Sequence, residues 1–439
     1  MESYREGSFL LLYSVCMKKE KSGSTKKTFL NRLGPGFITG AADDDPSGIA
    51  TYSQTGAQFG YSQLWTALFS FPLMLVVQEM CGRIGMVTGE GLSGVIKKHY
   101  SKKVLSVAVS LLFFANTINI GADLGAMASA TQLIFGMPFL FWLLLITLVI
   151  LLLQIFIPYV KYAKILKYLT LSLFAYVFTT FVVQQHWGEI LWSTFVPTFS
   201  FQKEYVLNVV AILGTTISPY LFFWQANQEV EEELAHHKFL GLDFGKPKVF
   251  RRDFKDLWID TGIGMFFSNL MMFFIVVTAA STLRAHGITT IETATQAAEA
   301  LRPFAGDFAF VLFALGILGT GMLAVPILAG SASYAITEAL GLKGSLADKW
   351  YESKVFYSVI ILSTVIGLIV NFLHIAPFKM LYYTAIMNGL VAPPLLVLIL
   401  LISNNKKIMG KHTNGKTSNI LGVLITTVMI VAGLALFIL

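Results

Sequence analysis

The sequence predicts an all-α integral membrane protein with about eleven transmembrane helices, two of them interrupted near the middle. Of its 439 residues, 55% are hydrophobic and only 13% are charged, whereas soluble domains carry roughly 25% charged residues. Apolar stretches approaching the roughly 20 residues that a membrane-spanning helix needs recur along the chain. Proline interrupts two of these stretches beside polar residues. These observations exclude an ordinary soluble protein.

The apolar stretches define the predicted spans and the division of the chain. We expect a cytoplasmic tail over 1–33, a ten-helix core over 34–402, and a cytoplasmic loop with the eleventh helix over 403–439. The apolar run 9–17 is too short for a span and lacks the cleavage site of a secretory signal; Met17 is an alternative start. The predicted spans are 36–56, 62–85, 104–134, 139–157, 164–184, 204–226, 257–280, 306–337, 354–373, 379–402 and 418–438.

The distribution of basic residues sets the predicted orientation. The chain has 32 Lys and Arg against 25 Asp and Glu, and an excess of this kind can indicate a nucleic-acid partner. With the N-terminus in the cytoplasm and alternating spans, all but four of the basic residues lie in the tail or in cytoplasmic loops. This is the positive-inside pattern, so we expect a plasma (inner) membrane protein and no nucleic-acid partner. The two cysteines exclude a disulfide framework.

The first interruption lies in the first span, where Asp43, Asp44 and Asp45 run into Pro46. Proline removes a backbone donor and disfavours helical backbone at the residue before it, and Gly48 tolerates unusual dihedral angles. Ionisable side chains at membrane depth are costly and mark functional paths. We therefore expect the helix to break here, with Asp45 as a direct or water-mediated ligand of a cation.

The sixth span carries a second interruption at Ser218 and Pro219, shortly after Thr215. It follows the first by about five spans. Two broken helices in corresponding positions of two halves indicate an inverted-repeat transporter whose site lies at the bilayer midplane. Two ordinary proline kinks are the simpler alternative, and the aspartates beside Pro46 argue against it.

The donors near these interruptions are all oxygen atoms, which hard divalent cations such as Mg²⁺ prefer. Neither interruption contains methionine, cysteine or histidine. Because Mg²⁺ gives up its water reluctantly, we expect a partly hydrated ion, with Thr215 acting through its carbonyl. Asp123 and Gln225 either hold water around the ion or line its exit path. The predicted metal-site residues are Asp45, Gly48, Asp123, Thr215, Ser218 and Gln225.

Other ionisable residues receive structural interpretations. Glu79 and Arg83 lie one helical turn apart and predict an intrahelical ion pair. The acidic run 229–233 after the sixth span is interpreted as a solvated loop face. The seven histidines fall in loops or near span ends, which leaves no obvious imidazole for a proton relay.

A set of motifs is spread over most of the chain. They are Gly34-Pro35-Gly36-Phe37, Asp45-Pro46, the stretch 56–62, Gln78-Glu79 with Arg83, Gly85, the stretch 87–89 and Phe135-Gly136-Met137-Pro138. Together these motifs resemble the pattern of the Nramp divalent-metal transporters. The resemblance implies a LeuT-type fold, a 5+5 inverted repeat with broken helices 1 and 6.

The chain departs from the family pattern at the ligand positions. The family's Asp-Pro-Gly-Asn is here Asp45-Pro46-Ser47-Gly48, without the asparagine ligand, and its Met-Pro-His-Asn is Ser218-Pro219-Tyr220-Leu221. The resemblance implies that this methionine favours Mn²⁺ and Fe²⁺ and that this histidine belongs to a proton path. A second family histidine is replaced by Gln225, Ile120 replaces one of two acidic residues, and the ninth span has no arginine.

This combination is similar to the Nramp-related magnesium transporters. It implies transport of Mg²⁺ and Mn²⁺ by alternating access without obligatory proton coupling. We expect a monomer in the lipid bilayer with the ion as transported substrate, no cofactor and no enzymatic activity. Two alternatives stay open, a proton-coupled Mn²⁺ or Fe²⁺ importer of the general family type and a membrane-embedded Mg²⁺-dependent enzyme. The enzyme would need a second aspartate-rich motif, which no other span contains.

Overall fold

The computed structural model describes residues 34–157, 168–235, 249–373 and 375–438. Regular structure in these ranges is entirely helical, as predicted. Nine helical stretches in the described part are long and apolar enough to cross a membrane. The predicted tail over 1–33, the basic loop residues 161–167 and most of the loop after the acidic run lie outside the described residues.

The helices are numbered here in chain order, and short 3₁₀ turns are named by their residues. The helices are α1 Pro35–Asp43, α2 Pro46–Phe59, α3 Trp65–Thr88, α4 Leu92–His99, α5 Lys102–Phe135, α6 Phe139–Phe156, α7 Phe174–Val182, α8 Trp187–Phe195, α9 Lys203–Thr216, α10 Pro219–Ala235, α11 Arg251–Thr282, α12 Ala294–Ala298, α13 Arg302–Ala305, α14 Ala309–Leu340, α15 Lys354–Val370, α16 Pro377–Asn404, α17 Lys406–Met409 and α18 Lys416–Ile438. The 3₁₀ turns are Leu169–Leu173, Arg284–His286, Glu299–Leu301, Gly306–Phe308 and Asn371–Leu373.

Both predicted interruptions are confirmed. Helix α1 ends at Asp43 and α2 begins at Pro46, while α9 ends at Thr216 and α10 begins at Pro219. In both cases proline takes the first position of the new helix. Its missing N–H costs nothing there, because the first amide groups of a helix have no partner within the helix. Each proline therefore ends one helix and starts the next.

Close backbone packing holds the broken helices in place. Helices α1 and α2 both lie along α11, and α9 lies along α16. A Cβ atom added at Gly40 would lie 2.2 Å from the carbonyl carbon of Gly264, and one added at Gly214 would lie 2.0 Å from the carbonyl oxygen of Ala385. Small residues allow such approaches between membrane helices. The interruptions are thus positioned by the continuous helices α11 and α16.

Two parts of the structure differ from the sequence-based expectation. The predicted span 164–184 begins outside the described residues and continues as the 3₁₀ turn Leu169–Leu173 and the nine-residue helix α7. The acidic run 229–233 is not a loop, since α10 continues to Ala235 and the Glu231 carboxylate accepts hydrogen bonds from Tyr334 and Ser345. Apolar length and charge limit where a helix can lie, but tertiary contacts decide whether it continues.

The predicted ion pair between Glu79 and Arg83 is confirmed, with 2.8 Å between the two side chains.

The distribution of buried and exposed residues is that of a membrane protein. Asp45 is 2% exposed and Asp123 is fully buried, while Leu144 and Leu148 on α6 are about half exposed. Polar groups inside and leucines outside are expected when hydrocarbon surrounds the protein. The interior around the two interruptions is therefore the polar centre of the fold.

Candidate metal centre

Asp45 forms the centre of the first interruption by capping α2. Its Oδ1 accepts hydrogen bonds from the Gly48 backbone N–H at 2.8 Å and from the Ser47 hydroxyl at 2.6 Å. Capping is the usual role of aspartate before a helix. Its other oxygen, Oδ2, accepts from Nδ2 of Asn119 on α5 at 3.1 Å. The carboxylate is thus held in one orientation by two elements.

The first turn of α2 lies against the end of α9. The Ser47 and Thr215 hydroxyl oxygens are 3.4 Å apart. A Cβ atom added at Gly48 would lie 3.3 Å from Oγ1 of Thr215 and 3.3 Å from the ring of Tyr52. The structure therefore brings three of the predicted residues, Asp45, Gly48 and Thr215, into one place. Glycine at position 48 leaves that space without a side chain.

The second interruption contributes neutral groups. The Ser218 hydroxyl lies 2.9 Å from the Gly214 carbonyl oxygen and 2.8 Å from that of Thr215, so it closes the last turn of α9. A carbonyl oxygen has two lone pairs, so that of Thr215 can still accept a second partner. The Tyr220 hydroxyl donates to the Ala42 carbonyl at 2.9 Å and joins the start of α10 to the end of α1.

Asp123 faces the same region from α5. It is fully buried, and neither of its carboxylate oxygens has a hydrogen-bond partner among the described residues. Asp123 lies one helical turn after Asn119, which donates to Asp45, so both side chains lie on one face of α5. The structure thus places Asp123 on the face of α5 that contacts the first interruption.

Gln225 lies apart from these groups. Its Oε1 accepts from the Thr39 hydroxyl of α1 at 2.6 Å, and its Nε2 donates to Glu229 at 2.9 Å. Seven residues separate it from Ser218, which is about 10 Å along a helix. The structure therefore places Gln225 on α10, in contact with α1, on the predicted cytoplasmic side. This fits the exit-path interpretation better than contact with the ion.

Asp43 and Asp44 lie against α11. The Ser268 hydroxyl donates to Oδ2 of Asp43 at 2.5 Å and lies 3.3 Å from Oδ1 of Asp44. The other oxygen of Asp43 has no hydrogen-bond partner in the described part. Both carboxylates therefore lie within hydrogen-bond distance of Ser268 on α11.

The strongest chemical feature of the region is the combined charge of four buried aspartates, Asp43, Asp44, Asp45 and Asp123. Four carboxylates are buried, and no described Lys, Arg or His forms an ion pair with any of them. An unpaired buried charge costs several kcal/mol, so the region attracts cations. The described residues contain no cluster of three or more His, Cys, Asp or Glu side chains suited to a metal. Beside Asp45, the described structure offers a possible cation hydroxyl and carbonyl oxygens, such as the Ser47 and Thr215 hydroxyls.

The outer ends of the first broken helix are also fixed by charge. The Asp260 carboxylate accepts from the backbone N–H groups of Gly36 at 2.7 Å and Phe37 at 3.2 Å, at the start of α1. The Arg284 guanidinium donates to the carbonyls of Ala57 and Gln58 at the end of α2. An anion at a helix N-terminus and a cation at a C-terminus are favourable. The interrupted helix is thereby held by a charged side chain at each of its two ends.

Sequence reasoning missed several residues that shape this region. Asn119 is absent from the predicted site residues, although its spacing of four from Asp123 is a usable signal. Tyr220 was read as a lost histidine and not as a contact to α1. No sequence pattern pointed to Ser268 or Asp260, because each reaches its partner across more than 220 positions of the chain.

Comparison with known proteins identifies the family. Residues 36–439 match the family model described as natural resistance-associated macrophage protein-like, Nramp. The chain belongs to the Nramp family. Nramp proteins are transporters, so this protein is a membrane transporter and not an enzyme.

Relatives of this Nramp protein cover nearly its whole length. A protein from Caldanaerobacter subterraneus named divalent metal cation transporter MntH is 24% identical over 424 residues, which is 94% of each chain. The protein of the same name from Bacillus subtilis is 24% identical over 405 residues, 91% of this chain and 89% of the relative.

Solved structures show the same fold. The manganese transporter of Eremococcus coleocola, in complex with an aromatic bis-isothiourea substituted compound, superposes with a TM-score of 0.74 at 17% identity, covering 95% of this chain and 88% of the other. Mhp1, a nucleobase-cation-symport-1 family transporter, gives a TM-score of 0.52 at 11% identity, covering 92% of this chain and 91% of the other. The LeuT-type fold class is confirmed, while the 5+5 repeat stays a prediction.

Proposed function

We propose that this Nramp protein carries Mg²⁺, and also Mn²⁺, across the membrane by alternating access, without obligatory proton coupling. The ion binds partly hydrated between the two interruptions, at Asp45, Gly48, Thr215 and Ser218, with Asp123 behind its water shell and Gln225 on the exit path. One observation carries the proposal: the buried Asp45 carboxylate lies beside the Ser47 hydroxyl, which in turn lies beside the Thr215 hydroxyl, and it has no described cationic partner.

The preference for Mg²⁺ follows from the donor atoms. Thioether ligands favour softer metals, whereas carboxylate, carbonyl and water suit Mg²⁺. The second interruption offers the Ser218 hydroxyl and backbone carbonyls. Mg²⁺ usually keeps several waters and binds through one or two carboxylates, which fits one fixed carboxylate with hydroxyl neighbours.

The membrane potential supplies enough energy for transport. Moving two positive charges inward releases about 4.6 kcal/mol per 100 mV, enough for over a thousandfold accumulation. His99, His186 and His286 are exposed, and His412 lies in the loop before α18. None of these four described histidines can therefore relay protons near Asp45.

A second candidate is a proton-coupled Mn²⁺ importer. It is favoured by the names of the relatives, one of which is a manganese transporter, and by the unpartnered carboxylate of Asp123, which can carry a proton. The oxygen-only donor set at the second interruption argues for the magnesium proposal. In both cases the protein acts in the plasma (inner) membrane with a cytoplasmic N-terminus, as a monomer, and needs no cofactor.

The test is Mg²⁺ uptake into proteoliposomes under an inside-negative potential, with a pH dye in the lumen. We expect Mg²⁺ to enter without acidification, and Mn²⁺ to compete for entry. Liposomes without protein correct for passive leak. Uptake of Mn²⁺ with protons, and no uptake of Mg²⁺, would instead support the second candidate.

A further inference from the structure

Asn119 combines two features that an ordinary buried amide does not have. Its Nδ2 donates to Oδ2 of Asp45 at 3.1 Å, so it touches the carboxylate at the centre of the site. Its Oδ1 has no hydrogen-bond partner among the described residues, and the side chain is fully buried. A buried acceptor without a partner costs about 1–3 kcal/mol, and something must compensate for it.

The orientation of this amide is fixed by chemistry. An ionised carboxylate only accepts hydrogen bonds, so the amide must turn its nitrogen toward Asp45. A flipped amide would place two acceptors against each other. The oxygen of Asn119 is therefore the atom left free, and it lies within a few ångströms of the Asp45 carboxylate.

Asp123 extends the same surface by one helical turn. Both of its oxygens are buried and without hydrogen-bond partners in the described part of the chain. Together, the two residues give α5 three buried acceptor oxygens that have no hydrogen-bond partner among the described residues. Waters bound to a metal ion present their hydrogens outward and need acceptors of this kind.

Other buried amides do not combine these features. Gln78 and Gln154 also have an amide oxygen without a partner among the described residues, but neither side chain bonds an aspartate. Asn116, three residues earlier on α5, donates to the Leu328 carbonyl at 2.9 Å and to the Ser331 hydroxyl at 2.7 Å on α14. It joins two helices and touches none of the aspartates. Asn116 therefore has a structural role, whereas Asn119 faces the site.

We propose that Asn119 and Asp123 form an acceptor wall on α5 that holds the hydration shell of the transported cation. The site is then built on three helical elements, with α5 opposite the interruptions, and Asn119 is a ligand through bound water. This inference rests on the proposed function and names a residue that determines its specificity.

This wall predicts a difference between metals. Mg²⁺ holds its waters tightly, and Mn²⁺ gives them up more readily, so acceptors for bound water favour Mg²⁺. Removing the amide oxygen will weaken Mg²⁺ binding more than Mn²⁺ binding. A residue that only orients Asp45 or packs the helix would affect both ions equally.

The experiment measures Mg²⁺ and Mn²⁺ binding to the purified full-length protein by calorimetry, together with thermal stability. We expect Asn119→Leu to weaken Mg²⁺ binding at least about tenfold, as loss of a group around a bound metal commonly does, and Mn²⁺ binding by about threefold or less. Asn119→Asp keeps acceptor oxygens but loses the donor to Asp45. We expect it to bind Mg²⁺ within about threefold of the wild type, because the added negative charge favours the cation.

Asn116→Leu is the matched control. We expect it to lower the melting temperature while leaving the ratio of Mg²⁺ to Mn²⁺ affinity unchanged. Equal losses for both metals in Asn119→Leu, or a loss in Asn119→Asp as large as in Asn119→Leu, would overturn the acceptor wall. Wild-type protein that binds Mn²⁺ but not Mg²⁺ would overturn the proposed function as well, so the two failures are distinguishable.

Discussion

The two interruptions have the same backbone design and opposite chemistry. Each ends one helix, leaves two residues outside it and restarts with proline. The first presents three consecutive buried aspartates, whereas the second presents Ser218 and backbone carbonyls. In the first, the Asp45 side chain caps the following helix; in the second, the Ser218 hydroxyl closes the preceding one.

This difference separates two tasks. In the proposed function, the first interruption supplies the negative charge that attracts a cation into a region without described cationic partners. The second would supply neutral donors whose hardness sets the choice of metal. Changes at the first interruption should therefore remove transport, and changes at the second should alter selectivity. Changes at the outer anchors of the broken helix should affect stability.

Replacing the central carboxylate should have the largest effect. We expect Asp45→Asn to abolish divalent uptake, because the fixed negative charge at the site is lost while the shape is kept. Asn can still accept the hydrogen bonds that cap α2, so the protein should fold. Asp307→Asn, an exposed acid on the turn Gly306–Phe308, is the control and should transport normally. Unchanged transport in Asp45→Asn would remove Asp45 from the site.

A change at the second interruption should shift selectivity. We expect Ser218→Met to raise the preference for Mn²⁺ or Cd²⁺ over Mg²⁺ by about tenfold, since a thioether suits softer metals. Competition uptake with the three ions measures this shift. Ser218→Ala loses the same hydroxyl without adding sulfur, and it should keep the original order of metals. An identical order in Ser218→Met would show that this position does not contact the ion.

Weakening an anchor should have the smallest effect. Asp260→Asn removes the charge that holds the first two N–H groups of α1. Loss of a charge at a helix N-terminus costs about 1 kcal/mol, so we expect the melting temperature to fall by about 2–4 °C. Mg²⁺ affinity should change less than in the Asn119 variants. If the free energy of Mg²⁺ binding fell by more than the free energy of unfolding, Asp260 would belong to the ion path.

The fold was predictable because its main signals are local. Apolar length located most spans to within a few residues, and Pro46 and Pro219 located both interruptions. The site was only partly predictable, because its side chains meet through tertiary contacts. The bond between Asn119 and Asp45 joins residues 74 positions apart, and nothing in either local sequence encodes it. Gln225 is a polar residue of the sixth span, as Ser218 is, so the sequence alone does not separate the two. In the structure, Gln225 lies about 10 Å further along the helix than Ser218.

The most direct test of the central claim is the reversal potential of Mg²⁺ flux in proteoliposomes. An uncoupled divalent ion carries two charges, so the account predicts a shift of about 30 mV for each tenfold Mg²⁺ gradient. The same value should be found with and without a pH gradient. A reversal potential that moves with the pH gradient, or no Mg²⁺ flux at all, would contradict transport of Mg²⁺ without protons.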